Sequence, residues 1–199
     1  MSQPSVSVII PAYNAQSTIA RALQSVADQT FQATEVIVID DASTDNTIEK
    51  VVEYSKNSKI AIQLLHSNRN AGPGSARNRG WDISSGEFIA FLDADDYWEP
   101  DKLEKQYALI KEDTQLIYSG IRQFRDSDLE SLGVISPKFR GSCSELFLDI
   151  PGASIVLSGE STALFSVALL SKIGDFDGEL NSSAGWDFFR RCSKHTRFD

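Results

Sequence analysis

The sequence predicts an α/β domain with a central, mostly parallel sheet and helices on both faces. Three observations predict it. Short apolar runs rich in β-branched residues, Val6–Ile10, Glu35–Ile39, Ile60–Leu65 and Phe88–Leu92, recur along the first half of the chain. Between them, apolar residues repeat at helical spacing. Each run then stops abruptly at a polar loop. Near-continuous apolar strands that alternate with helices belong to sheets covered on both faces, because each strand must bury both its sides.

The elements follow in order. Val6–Ile10 reads as the first strand, stopped by Pro11, which cannot donate to a central ladder. Pro11–Asn14 is a loop, and Ser17 or Asn14 is placed to cap a helix through about Gln29, with Ile19, Leu23 and Val26 on its buried face. Glu35–Ile39 is the second strand, ending in Asp40 and Asp41. Ser43–Thr47 carries helix-capping chemistry, and Ile48, Val51, Val52 and Ser55 line one face of the helix that follows. Ile60–Leu65 is the third strand, followed by the Gly- and Asn-rich stretch Asn68–Asn78 and another helix. Phe88–Leu92 is the fourth strand.

The second half is less regular. Pro100–Lys111 predicts a helix with Pro at its tolerated start, and Thr114–Tyr118 a short strand. The charged segment Arg125–Glu130 predicts an exposed hairpin or loop. Ser142–Ile150 predicts a short helix, and the small-residue run Ala153–Phe165 suits the floor of a second ligand site. Ala168–Gly174 is a helix closed by glycine, and Ser182–Arg191 opens a capped amphipathic helix.

Bulk properties bound the function. The 199 residues, 41% hydrophobic and 24% charged, predict one soluble globular domain over 1–199. No apolar run approaches a membrane span, and the N-terminus lacks a signal-peptide layout. Two cysteines, Cys143 and Cys192, are too few for a disulfide scaffold, so a cytoplasmic location is expected. His66 and His195 form no zinc site with them at any usual spacing. A net charge of −9 argues against nucleic acid as partner, though a bound cation would still admit a nucleotide.

The chemistry concentrates at strand ends. In a parallel sheet, ligands sit beyond the carboxyl ends of the strands, where Pro11–Asn14, Asp40–Ser43, His66–Gly74 and Asp93–Tyr97 converge. Asp93, Asp95 and Asp96 are packed too tightly to persist without water, hydrogen bonds or a cation. If the strand continues through them, Asp93 and Asp95 point the same way. Two oxygen donors there suit a partly hydrated Mg²⁺ or Mn²⁺ and the phosphates it carries. An acidic turn capping the next helix is the plainer reading of that motif alone. Gly72-Pro-Gly74 is no dinucleotide fingerprint, since Arg77 occupies its third glycine position and it follows the third strand.

Four segments in this order, Val6–Asn14, Glu35–Asp45, Asn70–Asn78 and Phe88–Asp96, resemble the successive signatures of the family-two glycosyltransferases of GT-A fold. The resemblance runs from Val6 to about Arg191. It implies an inverting transferase of hexosyl or N-acetylhexosaminyl type, moving a sugar from a nucleotide diphosphate, UDP by family habit, to a hydroxyl of a glycan or lipid-linked acceptor. Such work belongs to cell-envelope polysaccharide synthesis, with peripheral association at the inner face of the membrane as an option.

Residue by residue, the resemblance implies that Pro11, Ala12 and Tyr13 contact the nucleobase and that Asp41 accepts a hydrogen bond from it. Arg77 lies near the nucleotide. Asp93 and Ala94 touch the donor, and Asp95 ligates a divalent cation, Mn²⁺ or Mg²⁺. The family's base lies in an acidic pair before a Trp-Asp dipeptide. Ala184-Gly185 stands in its place here, which leaves Asp187 either as the base or as a structural partner of Trp186 and Arg190. The chain also stops soon after this acceptor-side segment, so truncation at the C-terminal, lid end is expected. Two other functions stay open: a nucleotide-sugar-binding module that has lost transfer, and a nucleotidyltransferase, which would lack its usual Lys-bearing N-terminal loop.

Overall fold

Four apolar runs form β1 (Val6–Ala12), β2 (Glu35–Asp40), β3 (Ile62–His66) and β4 (Phe88–Phe91), all parallel and ordered β3-β2-β1-β4. The computed structural model describes residues 4–125, 127–137, 139–143, 159–180 and 183–199. Beyond β4 the sheet continues with β8 (Ala163–Ser166) and then β5 (Leu116–Tyr118), β8 antiparallel to both neighbours. β6 (Ile121–Phe124) and β7 (Ser131–Ile135) form a separate hairpin, with the charged segment Arg125–Glu130 at its turn, as its polarity predicts.

Alternation along each strand sorts residues to two cores. Val8, Ile10, Val36, Val38, Ala90 and Leu92 pack against α1 (Ile19–Ala27), α2 (Thr47–Ser55) and α4 (Lys102–Tyr107). Ile9, Ile37, Ile39, Ile89 and Phe91 face the opposite layer of α3 (Pro73–Asp82), α5 (Val167–Ile173) and α6 (Ala184–Ser193). Period two in the strands thus yields a three-layer α/β/α fold. α3 lies so close to the sheet that a Cβ on Gly80 would fall 2.4 Å from Ile9 Cγ2. On the same face the rings of Phe176 and Phe188 stack at 3.7 Å, and Phe91 meets Phe176 edge-on at 5.4 Å. These aromatics lock the start of α6 over the end of β4.

The structure shifts several predicted bounds. β1 runs through Pro11, with Pro11 opposite Ile39. The odd-numbered residues of β1 turn their peptide groups to β4, as the Ser5 and Ile9 carbonyls accept from Phe88 and Leu92. Pro11's missing donor therefore falls on the side where β4 has already ended. β4 itself stops at Phe91, and Asp93–Asp96 is a turn closed by Asp96 N–H on the Asp93 carbonyl at 3.0 Å. The strand does not continue through the carboxylates.

α1 has neither Ser17 nor Asn14 as its cap; Asn14 Oδ1 instead accepts from Thr44 N–H at 2.8 Å. Val52, expected on the buried face of α2, is 43% exposed, because Val51 takes the core position. α5 is closed by Gly174 at φ 74°, as predicted. The short helix expected over Ser142–Ile150 lies almost wholly outside the described residues, as do 153–158 of the small-residue run. No helix among the described residues is long and apolar enough to cross a membrane.

The order β3-β2-β1-β4 makes a reversal at β1: the chain winds outward to β3, then returns to β4 on the other side. α1 follows β1 on one face and α3 enters β4 from the other, and the loops after β1, β2 and β4 form a rim at the carboxyl ends, where ligands of such sheets sit.

Candidate functional site

The loops at that rim are stapled to one another by side chains. Asn14 N–H donates to Ser43 Oγ at 2.9 Å and Ala15 N–H to Thr47 Oγ1 at 2.8 Å, which ties the loop after β1 to the loop after β2. Asn14 and Ala42 hold φ of 49° and 62°, sparsely populated values for residues with a Cβ. Asp40, fully buried, accepts from Ser43 N–H at 3.1 Å and lies 2.8 Å from His66 Nδ1. Its role is structural, and His66 is a strand-end residue, as the sequence suggests. Tyr13 leaves its ring 52% exposed on the rim.

Asp41 turns the other way. Its carboxylate accepts from Ala71 N–H at 3.0 Å and Gly72 N–H at 2.8 Å. Gly72 holds φ 86°, and Pro73 starts α3 immediately after it. Asp41 therefore orders the entry to α3, and one turn further along α3 stands Arg77. The sequence reading gave Asp41 a nucleobase contact; the structure adds a loop-ordering duty, with the residue 4% exposed.

Arg77 is the centre of the site. It is 5% exposed, its Nη2 lies 2.5 Å from Asp93 Oδ1 and 3.4 Å from Glu160 Oε2, and the guanidinium sits 5.4 Å over the Phe176 ring. Burial pulls its pKa down, and the charges of Asp93 and Glu160 more than reverse that, so it is raised overall. Its charge is thus spent on two carboxylates, one at the end of β4 and one in the 3₁₀ turn Glu160–Thr162. Asp93 N–H donates to Ser161 Oγ at 3.0 Å, and Trp98 Nε1–H to the Ser161 carbonyl at 2.9 Å, so that turn is fastened along the acidic loop. Asp96 is partly buried beside Ser161. Its pKa is raised, by burial first and then by the charges of Asp93 and Asp95.

Asp95 differs. It is exposed, its backbone carbonyl accepts from Arg21 Nη2 at 3.0 Å, and its carboxylate takes no hydrogen bond among the described residues. No group of three His, Cys, Asp or Glu among the described residues forms a cage for a metal ion. With Asp93 on Arg77 and Asp96 partly buried, Asp95 is the exposed donor. One carboxylate plus phosphate oxygens and water suits Mg²⁺ or Mn²⁺ arriving with a diphosphate. The residues fit such an ion.

Beside the acidic loop, a cleft of about 650 Å³ opens between α4 and the β6–β7 hairpin, walled by Tyr97, Trp98 and Phe124 and touching Asp96 and Ser161. Aromatic walls with polar ends suit a sugar ring.

Asp187 lies in the first turn of α6 with both oxygens engaged: Oδ1 2.9 Å from Arg190 Nη2, Oδ2 2.7 Å from Arg191 Nε. Arg191 also donates to the carbonyls of Ile173 and Asp175, each at 2.7 Å, so the cluster pins α6 to the end of α5. Burial pushes the Asp187 pKa up, but the two arginines outweigh it and hold it below the ordinary 3.8. A group with a lowered folded pKa stabilises above its unfolded value, and that contribution is lost as pH falls through the folded one. Asp187→Asn is expected to cost about 1–3 kcal/mol between pH 5 and 8. The gap in thermal melting between variant and parent should close below pH 4, and a gap that persists at pH 2 would contradict this.

Sequence reasoning missed Glu160 and Ser161. They sit in the small-residue run flagged as a possible ligand floor, but a lone Gly-Glu-Ser carries no local period. Asn78, inside a quoted motif, bonds the backbone of Phe176 at 2.9 Å both ways and holds that loop to α3.

Comparison with known proteins gives the following matches. The family model described as glycosyl transferase family 2 matches residues 7–169. WfgD of Escherichia coli, a UDP-Glc:α-D-GlcNAc-diphosphoundecaprenol β-1,3-glucosyltransferase, is 45% identical over 105 residues, 53% of this chain and 40% of its own. TuaG of Bacillus subtilis, a putative teichuronic acid biosynthesis glycosyltransferase, is 41% identical over 110 residues, 55% of this chain and 43% of its own. The crystal structure of Staphylococcus aureus TarS 1–349 with UDP-GlcNAc matches with a TM-score of 0.74 and 27% identity, over 98% of this chain and 58% of that one. The chain thus spans less than half the length of these two curated relatives.

Proposed function

The chain belongs to glycosyl transferase family 2, and from that premise we propose that it transfers a hexosyl or N-acetylhexosaminyl group from a UDP-sugar to a hydroxyl of a glycan or lipid-linked acceptor, with inversion. The carrying observation is the rim itself. Tyr13, the Asp41-ordered loop, the Arg77–Asp93 pair and the free carboxylate of Asp95 belong to loops at the carboxyl ends of β1, β2 and β4 and to the first turns of α3 beside them. UDP-sugar use is supported by WfgD, a UDP-Glc-dependent glucosyltransferase, and by the UDP-GlcNAc complex of TarS. Acceptors of those relatives' kind suggest work on the cytoplasmic side of the membrane, in cell-envelope polysaccharide synthesis.

Each residue then has a task. The exposed ring of Tyr13 offers a stacking face for the base, beside Pro11 and Ala12. Asp93, held by Arg77, and Ala94 line the ribose and donor sugar, with the carboxylate kept in one rotamer by its ion pair. Asp95 would hold a Mn²⁺ or Mg²⁺, which would supply positive charge where the leaving group becomes more negative. Inversion in one displacement needs no enzyme nucleophile, only a base opposite the leaving group.

Calorimetric titration of UDP is expected to show binding in Mn²⁺ and much weaker binding in EDTA. Equal affinity in both would remove the metal from the assignment, and no binding of any nucleoside diphosphate would remove the function. A second reading, a nucleotide-sugar-binding module without transfer, is favoured by Ala184-Gly185 and by the engaged carboxylate of Asp187. It predicts the same UDP binding with no turnover of any donor.

A further inference from the structure

Glu160 is a buried carboxylate without a structural explanation for half of itself. It is 5% exposed, Oε2 lies 3.4 Å from Arg77, and Oε1 is buried with no hydrogen-bond partner among the described residues. Oε1 points at the first turn of α6, where a Cβ on Gly185 would lie 2.1 Å from it. That contact is shorter than any side chain tolerates, so Glu160 occupies the space a residue at 185 would fill. Its place is also functional. Glu160 shares one guanidinium with Asp93, and the next residue, Ser161, bonds the Asp93 backbone.

Asp187 is the rival carboxylate on α6. It sits two residues past Gly185, about 200° around the helix, and its oxygens are taken by Arg190 and Arg191. A base with both oxygens on arginines accepts a proton poorly.

We propose that Glu160, seated in the gap left by Gly185, is the general base that activates the acceptor hydroxyl. This rests on the donor-site reading above. In the step, Glu160 Oε1 takes the hydroxyl proton while the hydroxyl oxygen bonds the anomeric carbon. The bond from that carbon to the β-phosphate oxygen breaks, and its electron pair leaves with the nucleoside diphosphate. The acceptor hydroxyl is also the hydrogen-bond donor that Oε1 lacks. The facing charged groups are Arg77 and Asp93. Burial raises the Glu160 pKa first, Arg77 opposes this and Asp93 adds to it, for a net rise. A carboxylate raised toward the working pH is the better base.

The test measures UDP release from UDP-glucose and UDP-GlcNAc, with water as acceptor, alongside UDP binding. Glu160→Gln keeps shape and hydrogen bonding; it is expected to lower kcat by about 100- to 10,000-fold, with UDP affinity within about threefold. The acid limb of the kcat–pH profile should disappear with it. In Glu160→Ala, azide, a nucleophile with no proton to lose, should restore UDP release and leave a glycosyl azide. A merely structural counter-ion for Arg77 would show none of these. Glu160→Gln with parental kcat and acid limb overturns the proposal, as does loss of UDP affinity in step with turnover. A parent chain that binds UDP but turns over neither donor overturns the base and leaves the donor site standing. A parent chain that binds no nucleotide overturns the donor-site reading, and this inference with it.

Discussion

Asp95→Ala is expected to weaken Mn²⁺-dependent UDP binding by at least about 100-fold, about 2.7 kcal/mol, while leaving the melting temperature unchanged. The binding loss follows from the division of labour among three neighbouring carboxylates. Asp93 is committed to Arg77, and Asp96 is partly buried, with a pKa raised by that burial first. Asp95 alone offers an exposed, uncommitted pair of oxygens. The unchanged stability follows because Asp95's bond to the rest of the protein, from Arg21, is made by its backbone carbonyl, which alanine keeps. Residual affinity in EDTA should be the same in parent and variant. Full metal-dependent binding by Asp95→Ala would move the metal elsewhere, and a fall of several degrees in melting temperature would give Asp95 a structural duty it does not show here.

Arg77→Met is expected to produce the largest loss of stability. Methionine preserves much of the packing against Phe176 but strands Asp93 and the 5%-exposed Glu160 beside each other without a counter-charge. Breaking a buried ion pair from one side costs about 3–5 kcal/mol, which in a domain of this size is a fall of about 6–20 °C in melting temperature. The sign of its pH dependence is fixed by Glu160. Without Arg77 its folded pKa rises further above the unfolded value, so the neutral form favours folding. That contribution is fully present below about pH 4 and is lost as pH rises through the folded pKa. The deficit should therefore be deeper at pH 8 than at pH 4.5. Adding Glu160→Gln to Arg77→Met should recover part of it, since one stranded charge is gone. A pH-independent deficit, or no recovery in the double variant, would show that Arg77 matters here for packing rather than charge.

Much of the layout of the candidate site was legible in the sequence. Asp40 and Asp41 end one apolar run and Asp93–Asp96 another, and a run apolar on both faces locates its own carboxyl end. What remained hidden was how those ends were used. Nothing local distinguishes Asp41, which turns to the amides of Ala71 and Gly72, from Asp40, which turns to Ser43 and His66. Likewise, the Asp-Ala-Asp spacing suggested two carboxylates side by side on a strand, whereas the strand ends at Phe91 and a turn hands Asp93 to Arg77. The strand bound at Pro11 also erred, because a proline's missing donor matters only where a neighbouring strand is present to receive it.

The sequence by itself determined the α/β class, the order of strands and helices, and the rim on which the acidic and Gly-rich loops meet. These follow from periodicity and from abrupt changes of polarity, both of which are local and survive in one dimension. Only the tertiary structure decided that one guanidinium joins Asp93 to Glu160, that Arg190 and Arg191 close around Asp187, and that Gly185 is small because Glu160 stands against it. Each of those is a pairing or an exclusion of volume set by which elements pack together, and volume is not written along the chain.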